Sequence, residues 1–210
     1  MAAGACFCVY QRTGALPVNR NLSDLRAQVT ALQPQRAAHI LGCEETAAEL
    51  ARRWGEDEEK ARYAALLHDV TKQYSHAEQL KLVEKYGIII DAAFDRFPAL
   101  AHAETGAAVA RAEYDMAEDI VLAIRYHTTG RPGMTLLEKI LYLADYIEPN
   151  RSFPGLEDTR TLAFQDLDAA VLRSTADCLI YNLKKSRPVH PITVETYNEL
   201  VEQANLTQNL

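Results

Sequence analysis

The sequence predicts an all-α, single-domain protein, and three observations predict it. Apolar residues recur at helical spacing almost throughout, helix start and stop signals punctuate them, and no alternating strand pattern or 20–50-residue repeat interrupts them. The 210 residues, 48% hydrophobic and 24% charged, have ordinary globular values that exclude collagen, low-complexity disorder and coiled-coil fibre. A chain of this size buries roughly 70% of the surface its unfolded form exposes, enough for one sizeable core.

Each element has a local reason. Residues 1–20 read as a disordered tail and 21–210 as the folded domain. Ser23 caps a short helix through Leu32, and Pro34 separates it from a longer helix, Gln35–Trp54, which Gly55 ends. Glu56–Lys60 places acids in the first turn of a helix running to about Val70. Ser75-x-x-Glu78 is a capping box opening a helix that Gly87 closes. The Ile88–Pro98 stretch carries three β-branched residues, too few for a sheet. Helices follow near Ala99–Tyr114 and Ala117–Tyr126, then the loop Thr128–Gly133. Thr135-x-x-Glu138, a second capping box, starts a helix that stops before Pro149. After a loop come a long helix near Leu162–Lys185 and a last one from about Thr193.

Charge bounds the partners. Lys plus Arg number 22 against 29 Asp plus Glu, a net charge of −7, which argues against nucleic-acid and anionic-membrane partners. The apolar opening Met1–Tyr10 is short and has no basic residue before it, unlike a secretory signal, and no stretch approaches the ~18 apolar residues of a membrane span. A cytoplasmic location is expected. The four cysteines form neither a disulfide framework nor a C-x-x-C pair; Cys6 and Cys8 read as reduced and incidental, Cys43 and Cys178 as core.

The chemistry-bearing residues begin with His68-Asp69. With 6 His and 12 Asp in the chain, chance supplies such a pair about one time in three. Its setting is more telling, because four apolar residues precede it. Burying an imidazole and a carboxylate there is costly unless a metal or another group pairs with them. A capping Asp beside a core His is the alternative. Asp145 projects from the apolar face of its helix, which calls for a metal or a buried salt bridge to an arginine. His39, His102 and His127 lie in partly apolar helical contexts, where each alone also suits a core histidine. His76 and His190 read as solvated and loop-bound.

Together His39, His68, Asp69, His102, His127 and Asp145 offer four imidazoles and two carboxylates without thiolate. That donor set suits iron, manganese, zinc or nickel. Six ligands exceed one open mononuclear site and suggest two ions sharing a bridging carboxylate, the arrangement that hydrolyses phosphate esters and anhydrides. Lys72, Arg131 and Arg151 follow these ligands closely and suit phosphate contact, or are plain surface cations.

The order H…HD…H…H…D resembles the HD-domain metal-dependent phosphohydrolases, and more narrowly the YqeK family of symmetrical diadenosine tetraphosphate hydrolases. The resemblance rests on Leu66–Lys72, on Ala101–Ala107, and above all on Ala123–Arg131 continuing through Leu137-Glu138-Lys139 to Leu143–Arg151. It implies an HD-type helical bundle, one or two divalent ions with iron foremost, and hydrolysis of a dinucleoside polyphosphate to ADP- or GDP-like products. The six ligands named above match the family's metal positions. Lys72, Thr128, Gly130 and Arg131 match positions that line its phosphate and nucleotide pocket. Asp69 and Lys72 are the expected catalytic residues, Asp69 bridging the ions and Lys72 holding phosphate charge. A homodimer through the terminal helices is a further expectation. The rival readings are another HD-family nucleotide phosphohydrolase and a nucleotide-binding or assembly factor without turnover.

Overall fold

The computed structural model describes residues 21–89 and 96–208. The expected tail, with Cys6 and Cys8, lies outside them, as does the middle of the Ile88–Pro98 stretch. Among the described residues the regular elements are all helical. They are α1 Leu22–Thr30, α2 Pro34–Trp54, α3 Glu58–Leu67, α4 His76–Tyr86, a 3-10 turn Pro98–Leu100, α5 Ala101–Tyr114, α6 Glu118–Tyr126, α7 Leu136–Ile147, α8 Leu156–Gln165, α9 Leu167–Lys184 and α10 Pro191–Gln208.

The centre is α7. Leu137, Ile140, Leu141, Leu143, Ala144 and Ile147 are all buried, so the helix is enclosed on nearly every side by α2, α3, α6 and α9. Small residues on α2 and α3, among them Ala47, Ala51, Ala61, Ala64 and Ala65, are fully buried and let those helices pack closely. One continuous apolar cluster runs from Leu25 on α1 to Leu200 on α10.

Both capping boxes form, at Ser75/Glu78 and Thr135/Glu138, and Gly55 and Gly87 close their helices. Four boundaries differ from the sequence expectation. Asn21, not Ser23, caps α1: its Oδ1 accepts the Asp24 N–H at 2.9 Å, which leaves Ser23 inside the helix. Helix α2 begins at Pro34 itself, since a proline in the first turn sacrifices no hydrogen bond. Helix α3 stops at Leu67, with His68 as its cap, and no glycine or proline announces that end. The expected Leu162–Lys185 helix is two helices. Asp166 breaks it with an extended backbone, and its Oδ1 accepts the Ala169 N–H at 3.0 Å. The apolar pattern runs on across the break because Leu156 and Ala163 on one side and Leu167, Ala170 and Val171 on the other enter the same core.

No described helix is long and apolar enough to cross a membrane. Ile180, Tyr181 and Leu183 on α9, and Val194 and Leu206 on α10, are exposed apolar side chains.

Candidate metal centre

Five helix segments meet at one point. His39 comes from the second turn of α2, His68 and Asp69 from the end of α3, His102 from the start of α5, His127 from the end of α6 and Asp145 from the last turn of α7. The structure brings together all six residues singled out as metal ligands. His39 Nε2 is 3.1 Å from Asp145 Oδ1 and 3.7 Å from Asp69 Oδ2. His68 Nε2 is 3.6 Å from Asp69 Oδ2. His102 and His127 approach the other carboxylate oxygen, Oδ1, at 3.2 and 3.7 Å. The Asp69 carboxylate is therefore central, with one pair of imidazoles on each oxygen.

The ring orientations follow from hydrogen bonds on the far nitrogens. His68 Nδ1 lies 2.6 Å from the Ala65 carbonyl, His127 Nδ1 2.6 Å from the Ile124 carbonyl and His102 Nδ1 2.9 Å from the Ala99 carbonyl. Each carbonyl is three residues back, in the terminal turn of a helix or in the turn that precedes one, and carbonyls accept only, so each Nδ1 carries the proton. His39 meets a carboxylate instead, with Nδ1 3.2 Å from Glu148 Oε1. His68, His102 and His127 thus present an Nε2 lone pair to the cluster, while His39 has a carboxylate beside each nitrogen, Glu148 at Nδ1 and Asp145 at Nε2.

That convergence is the test of whether the residues suit a metal, and they do. His102 Nε2 and His127 Nε2 are 3.2 Å apart, both as lone pairs. Asp69 Oδ1 and His68 Nε2 are buried and make no hydrogen bond, an arrangement that costs about 1–3 kcal/mol per group unless a cation meets it. His39, His68 and Asp145 place donor atoms within 4.8 Å of one another, and so do His68, Asp69 and His127. Divalent-metal binding is the chemistry such a set of nitrogen and oxygen donors serves.

Charge is tuned accordingly. Burial pushes His68 down to about 4 and His102 likewise to about 4, so both are neutral ligands near pH 7. Burial alone would raise Asp69, but the His68, His102 and His127 imidazoles and the Lys72 ammonium override it and hold the carboxyl well below its usual range. Burial likewise opposes ionisation of Asp145, and His39, His68 and Arg151 outweigh it. His39 is raised despite burial, because Asp145, Glu148 and Asp69 surround it.

The cationic residues take distinct places. Lys72 Nζ donates to His102 Nε2 at 2.8 Å and lies 3.7 Å from Asp69 Oδ1. Arg151 donates to Asp145 Oδ1 at 2.6 Å, so the arginine salt bridge considered for Asp145 exists alongside the cluster. Arg131 pairs with Glu138 at 2.9 Å and stacks over Tyr126. Gly130 has φ +64°, and a Cβ there would meet Thr196 Cγ2 at 2.9 Å, so its place in the loop is fixed by backbone as well as space. Thr128 Oγ1 is buried and makes no hydrogen bond, and Thr128 lines a cavity of about 190 Å³ with Phe97, Tyr126, His190 and Ile192. Ala101 and Ala103, either side of His102, line the same cavity.

Sequence reasoning missed three residues. Arg36, one turn before His39 on α2, is hydrogen-bonded to Asp69 Oδ2. Glu148, one turn after Asp145, holds His39. The i, i+3 spacing from a ligand was a usable signal for both. Cys43, expected in the core, is fully buried but also flanks the cluster, its Sγ 3.8 Å from both nitrogens of His39. That equidistance places the sulfur off the Nε2 lone-pair axis, and burial keeps the thiol protonated. Of the two remaining histidines, His76 is exposed as expected, whereas His190 packs against Phe97 with ring centroids 4.9 Å apart.

Known proteins resemble this chain in sequence and fold. The HD domain family matches residues 36–150. A Bacillus subtilis protein named "Bis(5'-nucleosyl)-tetraphosphatase, symmetrical" is 46% identical over 171 residues, covering 81% of this chain and 91% of the relative. A Staphylococcus aureus protein of the same name is 32% identical over 170 residues, covering 80% and 87%. The crystal structure of a Clostridium acetobutylicum protein, described as a predicted HD superfamily hydrolase involved in NAD metabolism, superposes with a TM-score of 0.82 at 35% identity, covering 87% of this chain and 98% of that one. The chain belongs to the HD-domain family, and within it to the YqeK group.

Proposed function

We propose that this protein is a metal-dependent symmetrical hydrolase of diadenosine tetraphosphate and related dinucleoside polyphosphates. The observation that carries the reading is the convergence of four imidazoles on the Asp69 carboxylate, in a chain 46% identical to a protein named for that activity. In this reading His39, His68 and Asp145 would hold one divalent ion and His102 and His127 a second, with the Asp69 carboxylate available to both. Iron is the proposed native metal, with manganese, zinc and nickel as chemically acceptable substitutes. When bound, such ions supply Lewis acidity and a nucleophilic water at neutral pH.

The chain's own residues do the rest. Water adds to one inner phosphorus, the central P–O–P bridge breaks, and each half departs as ADP. Lys72, already 2.8 Å from His102 Nε2, bears on the charge that gathers on the reacting phosphate oxygens. Arg131 and Arg151 supply bidentate contacts to the outer phosphates, which for Arg151 means exchanging its bond to Asp145. Thr128 and Gly130 line the approach, and the cavity beside them offers the Phe97 and Tyr126 rings for stacking a base. ADP is a good enough leaving group that no dedicated general acid is assigned. The exposed apolar side chains of α9 and α10 support a homodimer, which sedimentation equilibrium tests.

The function is tested by incubating anaerobically iron-loaded protein with a panel of mononucleotides, cyclic dinucleotides and dinucleoside polyphosphates, resolving products by chromatography. ADP as the sole product of diadenosine tetraphosphate is the expected outcome. AMP plus ATP overturns the symmetrical cleavage, preferred turnover of a mononucleotide or cyclic dinucleotide favours another HD-family activity, and tight nucleotide binding without any product favours a non-catalytic factor.

A further inference from the structure

His39 differs from the other three histidines in one respect. His68, His102 and His127 sit at or beside helix ends, where nearby carbonyls accept their Nδ1 protons. His39 lies in the interior of α2, where the carbonyls one turn back are taken by the helix's own ladder. Its Nδ1 therefore needs an acceptor from another element, and Glu148 provides it at 3.2 Å. Asp145 Oδ1 stands 3.1 Å from Nε2, so without the Glu148 acceptor the ring proton goes to Nε2 and the lone pair turned toward Asp145 and Asp69 is lost.

Glu148 is built for the task. It is buried, and its second oxygen, Oε2, accepts the Asn150 backbone N–H at 2.6 Å and the Asn150 Nδ2–H at 2.9 Å. Asn150 Nδ2 also donates to the Ala38 carbonyl at 2.9 Å, tying the end of α7 to the turn of α2 that carries His39. Opposite them lies Gly42, one turn after His39. A helix-interior glycine costs about 1 kcal/mol relative to alanine and its φ is ordinary, so backbone freedom does not explain it. Space does: a Cβ there would meet Glu148 Oε2 at 2.6 Å, Asn150 Nδ2 at 2.9 Å and Pro149 Cδ at 3.3 Å.

We infer that Glu148 is a positioning residue that fixes the Nε2-ligating tautomer of His39, and that Gly42 exists to admit it. The inference rests on the metal-centre reading above, and the test keeps the two separable. Zinc(II) binding is measured by calorimetry on metal-free wild-type protein, Glu148→Gln, Glu148→Leu and Gly42→Ala, alongside histidine ring ¹⁵N NMR of the zinc-loaded proteins. Glu148→Gln has one acceptor oxygen where the wild type has two. With that oxygen kept by the two Asn150 N–H groups, its NH2 faces His39 Nδ1. It is therefore expected to move the His39 proton to Nε2 and to weaken zinc binding, while His68, His102 and His127 keep their ¹⁵N patterns. Glu148→Leu and Gly42→Ala are expected to lose about 10–100-fold in zinc affinity, with the His39 ¹⁵N pattern altered and those of His68, His102 and His127 kept. Wild-type affinity and an unchanged His39 pattern in Glu148→Leu overturn the inference alone. Equal loss in the Gln and Leu variants, with all four histidines disturbed, overturns it by making Glu148 a general structural prop. Failure of the wild-type protein to bind zinc overturns the metal-centre reading and the inference with it.

Discussion

His68 and His127 meet edge to face, their ring centroids 5.0 Å apart, and each has its Nδ1 2.6 Å from the carbonyl three residues before it. The two rings are held by their own helix ends rather than by each other. The consequence is that their Nε2 atoms reach the Asp69 carboxylate from α3 and α6 without a flexible link. The site is therefore preorganised by helix termination, and its properties translate into measurable ones.

Lys72 is expected to act on substrate phosphate rather than to hold metal. Lys72→Met should lower kcat by about 10²–10³-fold while metal content stays at the wild-type level, because none of the six ligands is removed. Steady-state kinetics with parallel metal analysis checks this, and loss of metal in proportion to activity would assign the lysine to the centre's assembly instead.

The buried imidazoles make stability depend on pH. His68 and His102 titrate near 4 in the folded chain against 6.5 ordinarily. Between those values the unfolded chain takes up protons that the folded one refuses, so stability of the metal-free protein falls as pH drops through that window. The slope is at most about 1.4 kcal/mol per pH unit for each imidazole. His39 is raised, and its contribution is lost as pH climbs through its folded value, above 6.5. Asp69 and Asp145 are held low, and theirs is lost only below about 3.8. Urea titrations from pH 4.5 to 8 should place the maximum near pH 6.5; a curve flat from 4.5 to 6.5 would contradict the neutral burial of these rings.

Gly130→Ala should cost about 1–2 kcal/mol of stability from its left-handed backbone, and more from the 2.9 Å approach to Thr196. Chemical denaturation reads the loss. Trimming the neighbour in Gly130→Ala/Thr196→Ser should recover the steric part and leave the backbone part.

Much of this was legible in the sequence because the signals are local. The two capping boxes, the closing glycines, the His68-Asp69 pair after four apolar residues and Asp145 on an apolar face all depend on neighbours within one turn. What escaped depends on approach between elements. Their i, i+3 spacing marks Arg36 and Glu148 as neighbours of ligands, but what each bonds is set only when α2 is laid against the ends of α3 and α7. Asp166 breaks a helix whose apolar pattern continues because both halves face one core, and α3 ends without a stop residue. The net charge of −7 argues against polyanionic partners at the surface, yet donor atoms converging on Asp69 call for a cation that reverses the local sign.

Asp69 carries the account, since both pairs of imidazoles meet on its two oxygens. The most direct test is metal stoichiometry and diadenosine tetraphosphate turnover of Asp69→Ala against wild type, both purified without oxygen. The account predicts a folded variant that has lost its metal and more than the roughly 100-fold in activity that removing an outer partner of a ligand costs. An Asp69→Ala protein with full metal content and wild-type turnover would contradict it.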